Sequence, residues 1–133
     1  MRKIAFLLLL VLVLSLAACG GESAPAGGEE AGPGGDATAG ETLFAGGAQP
    51  ACNTCHSLEA GVKLVGPSLS QIGTEAGSRV SGQSAQEYLR KSIVEPNDYV
   101  PDGFTVNIMP ATYGSSLSDK QVNDLVAFML TLE

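Results

Sequence analysis

The chain is poor in the side chains that most metal and catalytic sites require. Of its 133 residues one is histidine, His56, and three are cysteine, Cys19, Cys52 and Cys55. The isolated Ser, Asp and Glu residues therefore have no spare histidine with which to form a catalytic triad. No phosphate-binding loop and no pair of acid/base carboxylates stands out. A structural zinc site normally takes four protein ligands, and Cys52, Cys55 and His56 leave one position unfilled. A thioredoxin-like dithiol follows a strand in a βαβ setting, but Ala45-Gly46-Gly47-Ala48-Gln49-Pro50 before Cys52 is not β-rich. Basic residues are scarce too. Residues 40–133 hold ten acids and five bases, so there is no basic face for nucleic acid. No alternating strand pattern of useful length occurs, which points to an all-α domain.

What is present is concentrated in Cys52-Asn53-Thr54-Cys55-His56. Two thiols three positions apart lie on one face of a helical turn. Both then reach one edge of a flat cofactor, with the neighbouring imidazole beneath it. Cys-x-x-Cys-His reads as attachment of one c-type haem through thioethers at Cys52 and Cys55. His56 is then the proximal iron ligand. Zinc and dithiol chemistry are the weaker alternatives for the same residues.

The N-terminus predicts export. Arg2 and Lys3 precede an apolar run from Ile4 to Leu14, followed by small residues. That run is shorter than the roughly 20 residues a spanning helix needs. Leu16-Ala17-Ala18-Cys19 resembles the lipobox of bacterial lipoproteins. The resemblance implies a signal peptide over 1–18, cleavage before Cys19, and lipid attachment at Cys19. Loss of Arg2 and Lys3 takes the net charge from −7 to −9. Residues 19–39 comprise Cys19 and a stretch of Gly, Ala, Pro and Glu with no large apolar residue. Such a segment cannot build a core and predicts a flexible tether. The folded domain is expected over 40–133.

Three helices are expected there. The first lies near Gly40–Ala45. The second begins at Ser84, with Glu87 completing a capping box and Pro96 closing the helix. The third begins at Ser118, with Gln121 completing a second box. Leu117 and Val122 supply its hydrophobic staple, and Val122, Leu125, Val126 and Met129 share one face.

With these elements the chain resembles a class I cytochrome c over essentially all of 40–133. Gly40 and Phe44 match the first-helix pair of that family, and Leu125 and Phe128 the last-helix pair. The resemblance implies a close crossing of the two helices. The chain departs from shorter members between Phe44 and Cys52, where an extra Ala-Gly-Gly segment should bulge. A second histidine ligand is impossible within the chain. Met1 leaves with the signal, and Met129 falls on the apolar stripe of the last helix. Met109, followed by Pro110, is left as the sixth ligand and matches the family pattern. By the same resemblance the Pro67 carbonyl accepts from His56 Nδ1, Leu69 packs on the haem and Arg79 binds a propionate. Tyr88, Tyr99 and Tyr113 are unranked donors to a propionate or to the Met109 sulfur.

Histidine–methionine ligation leaves iron no open position, which favours one-electron transfer over catalysis. The expected protein is a membrane-anchored carrier in a respiratory or photosynthetic chain. Its partners are electron donors and acceptors, and its place is the outer face of the cytoplasmic membrane or the periplasm. The stretch from Glu87 to Asn97, with Gly103-Phe104 and Met109-Pro110, resembles two groups more closely. These are the mono-haem lipoprotein subunit of alternative complex III and the cytochrome domains fused to haem-copper oxidase subunit II. A subunit role beside a quinol-oxidising complex is thus a second form of the same expectation. A haem-based redox or gas sensor and a zinc-binding structural lipoprotein are the rival classes.

Overall fold

The structure is a computed structural model that describes residues 34–133. The expected signal peptide, Cys19 and most of the tether lie outside the described residues. Helix α1 spans Ala37–Thr42, α2 Ile72–Arg79, α3 Ala85–Val94, α4 Tyr113–Ser116 and α5 Asp119–Leu130. No strand occurs among the described residues, and the fold is all-α.

Helix α1 starts three residues before the expected domain boundary. Asp36 caps it, its carboxylate accepting from Thr38 N–H at 2.9 Å and Ala39 N–H at 3.1 Å. These bonds satisfy donors that a helix N-terminus otherwise leaves unpaired. After Thr42 the chain continues as a wider turn over Leu43–Gly47 that is kinked at Gly46, whose backbone leaves the helical region. Ala48 N–H donates to Leu43 O at 3.0 Å, a five-residue turn of the kind that accommodates an inserted residue within a helix. The Ala-Gly-Gly insertion falls on this turn.

Helix α1 packs on α5 at Gly40. A Cβ there would lie 2.0 Å from Asp124 O and 2.8 Å from Phe128 Cβ, so only glycine permits the crossing. One turn further on, the Phe44 and Phe128 rings sit 5.5 Å apart at 52°, a favourable tilted contact. The start of α1 is tied to the same helix. Asp36 N–H donates to the buried Asp124 carboxylate at 2.9 Å, and Lys120 Nζ lies 2.8 Å from it. Burial alone raises the Asp124 pKa; the Lys120 hydrogen bond, the Asp36 N–H and the Lys120 charge outweigh it and hold the carboxyl below its usual value.

Both capping boxes form. Ser84 N–H donates to Glu87 Oε2 at 2.8 Å and Glu87 N–H to Ser84 Oγ at 3.2 Å. Ser118 N–H donates to Gln121 Oε1 at 2.9 Å and Gln121 N–H to Ser118 Oγ at 3.3 Å. Helix α3 ends at Val94, just before Pro96.

Helix α2 was not expected from the sequence. Its two glycines, Gly73 and Gly77, give it poor intrinsic propensity. Packing supplies the support instead. Ile72 and Ala76 are buried, and Gly73 N–H donates to Leu132 O at 2.8 Å beyond the end of α5. A Cβ on Gly73 would meet Leu130 O at 2.6 Å. Helices α1, α2, α3 and α5 thus share one core. Between them, the loops 48–71 and 95–112 face each other across a cavity.

Candidate haem-binding site

Cys52 opens a single tight turn, Cys52–Thr54. Cys55 N–H and His56 N–H both donate to Cys52 O, at 3.1 and 2.9 Å. This turn holds the two thiols and the imidazole at the edge of one cavity. The cavity has a volume of about 160 Å³ and opens to solvent on one side. Cys52, Cys55, His56, Pro67, Leu69, Arg79 and Met109 all line it. The sequence places these residues over a span of nearly sixty positions; the fold brings all seven together.

The chain then folds back over His56. Gly66 N–H donates to Cys55 O at 2.8 Å, and Leu69 N–H to Ser57 O at 2.8 Å. Gly66 lies flat on the imidazole: a Cβ there would be 2.5 Å from His56 Cε1 and 3.0 Å from Nε2. The next residue fixes the ring. His56 Nδ1 lies 2.9 Å from Pro67 O. A carbonyl can only accept, so Nδ1 carries the proton and Nε2 is left with its lone pair. Burial lowers the His56 pKa, outweighing the opposing effect of the Pro67 bond. That shift favours the neutral imidazole, the form that binds metal. Burial is also the largest influence on the Cys52 thiol, and its pKa is raised. Both cysteines are free of disulfide bonding.

The loop that carries Met109 also lines the cavity. This methionine is half-buried and packs against the core. Met129 is buried on α5, as its place on the apolar stripe predicts, and also reaches the cavity wall. At the mouth, Lys63 Nζ sits 5.6 Å from the centre of the Phe104 ring and bridges the two loops. Val65 and Ile108 line the cavity and are also more than half exposed, at 56% and 53%. They form an apolar rim.

The structure separates the three tyrosines. Tyr113 donates its hydroxyl to Pro50 O at 2.6 Å. Burial pushes its pKa up to about 12, with the Cys52 and Cys55 thiols adding to the effect, so the hydroxyl remains a donor at neutral pH. Tyr88 and Tyr99 pack edge to face with ring centres 5.7 Å apart. Arg79 lines the cavity but also pairs with Glu75 one turn earlier on α2. Two other contacts had no role assigned from the sequence. One is the close approach of Gly66 to His56. The other is Asn107, whose φ is +63° and whose N–H donates to Asn97 Oδ1 at 2.7 Å. Asparagine is enriched in that left-handed region, which was the available signal.

The donor set fits a covalently attached haem: two thiols at one edge, a neutral imidazole with Nε2 unspent, and a thioether across an apolar cavity. It fits zinc poorly, since among the described residues no group of three or more His, Cys, Asp or Glu side chains is placed to hold a metal ion. A search of curated proteins finds no match. The family model described as "Cytochrome c" matches residues 37–133, nearly all of the described chain. The chain belongs to the cytochrome c family: it is a class I c-type cytochrome that binds haem c covalently and carries electrons rather than catalysing a reaction.

Proposed function

We propose that one haem c is held at Cys52 and Cys55 through thioethers, with His56 Nε2 as proximal ligand and Met109 sulfur as the sixth. Bound there, the haem supplies a one-electron ferrous/ferric couple. The observation that carries this reading is the contact between His56 Nδ1 and the Pro67 carbonyl. The Nδ1–H is spent on Pro67 O at 2.9 Å, inside a cavity shared with both thiols and Met109. The Pro67 carbonyl fixes the ring plane and raises the basicity of the ligating nitrogen. A methionine ligand raises the reduction potential and leaves no position for oxygen. Leu69 covers part of the apolar wall, and Arg79 reaches a propionate from α2. The apolar rim at Val65 and Ile108 is where a donor or acceptor meets the mouth.

The carrier is anchored by lipid at Cys19, on the outer face of the cytoplasmic membrane or in the periplasm. It serves a respiratory or photosynthetic chain as a shuttle or as a subunit of a quinol-oxidising complex. The lipobox-like Leu16–Cys19 supports the anchor. The likeness of the Glu87–Pro110 region to the alternative complex III subunit supports the complex.

The test is a reduced-minus-oxidised spectrum with haem staining and intact mass, on protein matured with the attachment machinery. One added haem and the weak long-wavelength ferric band of methionine–iron contact are expected. Absence of that band, together with tight cyanide binding in the wild type, would favour the sensor. Labelled fatty acid should enter the wild type but not Cys19→Ser. A pull-down from solubilised membranes that recovers no respiratory complex would count against the subunit form.

A further inference from the structure

The loop carrying Met109 has little backbone bonding of its own. Between Val100 and Ala111, one backbone–backbone bond closes among the described residues, from Phe104 N–H to Pro101 O at 3.2 Å. The loop ends at Tyr113, the first residue of α4 and four positions beyond Met109. Helix α4 is seated firmly: a Cβ on Gly114 would lie 2.8 Å from Val94 O, at the end of α3. Tyr113 itself is 4% exposed. Its hydroxyl reaches across 63 positions of sequence to Pro50 O. Pro50 stands two residues before Cys52. One partly buried hydrogen bond therefore joins the segment that bears Cys52 and Cys55 to the segment that bears Met109.

We propose that Tyr113 is a positioning residue for Met109: its hydroxyl bond to Pro50 ties the ligand loop to the attachment segment and governs how readily the Met109 sulfur leaves the iron. The inference rests on the assignment of Met109 as sixth ligand. The physical argument is one of linkage. An external ligand binds only the open form, so its apparent affinity scales with the fraction of molecules in which Met109 is displaced. A bond that exists only when the loop is seated lowers that fraction. Cutting it without disturbing the ring should raise it by the equilibrium factor that one neutral hydrogen bond supplies.

The test is cyanide titration of the ferric, full-length holoprotein as wild type, Tyr113→Phe and Val122→Ala. Phenylalanine keeps the buried ring and removes only the hydroxyl. Val122 is buried on α5 away from the cavity lining and serves as a control for general destabilisation. The expected result is cyanide binding about fivefold tighter in Tyr113→Phe, with earlier loss of the long-wavelength ferric band on titration with urea. Val122→Ala should lower Tm and leave cyanide affinity unchanged. Equal affinities in wild type and Tyr113→Phe would overturn the proposal and leave Tyr113 a packing residue. An equal rise in Val122→Ala would overturn it too, because the effect would then be global stability. Failure of the underlying assignment looks different: the wild type would lack the band, and Met109→Ala would not alter cyanide affinity.

Discussion

On the His56 side of the cavity, backbone closes on backbone. Gly66 N–H meets Cys55 O, Leu69 N–H meets Ser57 O, and His56 N–H meets Cys52 O, all within 2.8–2.9 Å. On the Met109 side, side chains close on backbone: Asn97 Oδ1 holds Asn107 N–H at 2.7 Å and Tyr113 O–H holds Pro50 O at 2.6 Å. Side chains add to the first arrangement, Thr54 Oγ1 donating to Ala51 O at 2.6 Å and Ser68 Oγ to Glu59 O at 2.8 Å, but the bonds that close it over the imidazole are backbone bonds, with a glycine lying against the ring. The second has only short local backbone turns, at Asp98 and Phe104, and its longer-range ties come from two particular side chains. The wall carrying the imidazole is thus built to stay fixed, and the wall carrying the thioether can be tuned by single substitutions. A carrier benefits from that division. On the proposed ligation, the imidazole stays in place while the hold on Met109 adjusts the potential.

The sharpest break in this comparison is at His56. His56→Ala removes the proximal nitrogen and should reduce haem-stained product to near zero in a maturation assay. Met109→Ala should leave the haem attached, lower the reduction potential measured by voltammetry, and let cyanide bind with no ligand to displace. If both variants lost the haem equally, the contrast between the walls would fail.

Gly66→Ala tests the fixed wall more gently. Its Cβ would fall 2.5 Å from the imidazole, and overpacking of that kind costs about 1–3 kcal/mol, read as a lower midpoint in urea. Asp124→Ala lies off both walls and makes a useful reference. It leaves Asp36 N–H and Lys120 without their acceptor, at a cost of about 1–3 kcal/mol, and should leave the haem spectrum unaltered. The folded state holds the Asp124 pKa below its ordinary value of 3.8. Its contribution is therefore present above the unfolded-state value and is lost as pH falls through the folded one. The Tm gap between wild type and Asp124→Ala should narrow in that acid range. Asn97→Ala should have the smallest effect, about 0.5–1.5 kcal/mol. That cost should appear mainly as tighter cyanide binding rather than as a loss of Tm.

Several elements were readable before folding because their physics is local. The two capping boxes need only a serine and an acceptor three positions on. The amphipathic stripe of α5 needs only its period, and the Cys-x-x-Cys-His turn only its spacing. Gly40 and Phe44 were readable for another reason, their match to the family pattern. Helix α2 was not readable, because Gly73 and Gly77 argue against a helix and the support comes from Leu132 and the end of α5. The start of α1 at Ala37 was missed for a related reason. Asp36 is an ordinary cap by sequence, but the bond from its N–H to Asp124 crosses 88 positions.

The sequence by itself determined the Cys-x-x-Cys-His turn, the all-α class and the shortage of histidine that leaves His56 as the single imidazole. Those conclusions follow from residue type and short-range spacing, which no tertiary contact can alter. Only the tertiary structure decided that glycine must lie against the His56 ring and that Tyr113 reaches Pro50 rather than open solvent. Each of these depends on two chain segments meeting within about 3 Å, and hydrogen bonding at that range is set by where the folded backbone runs.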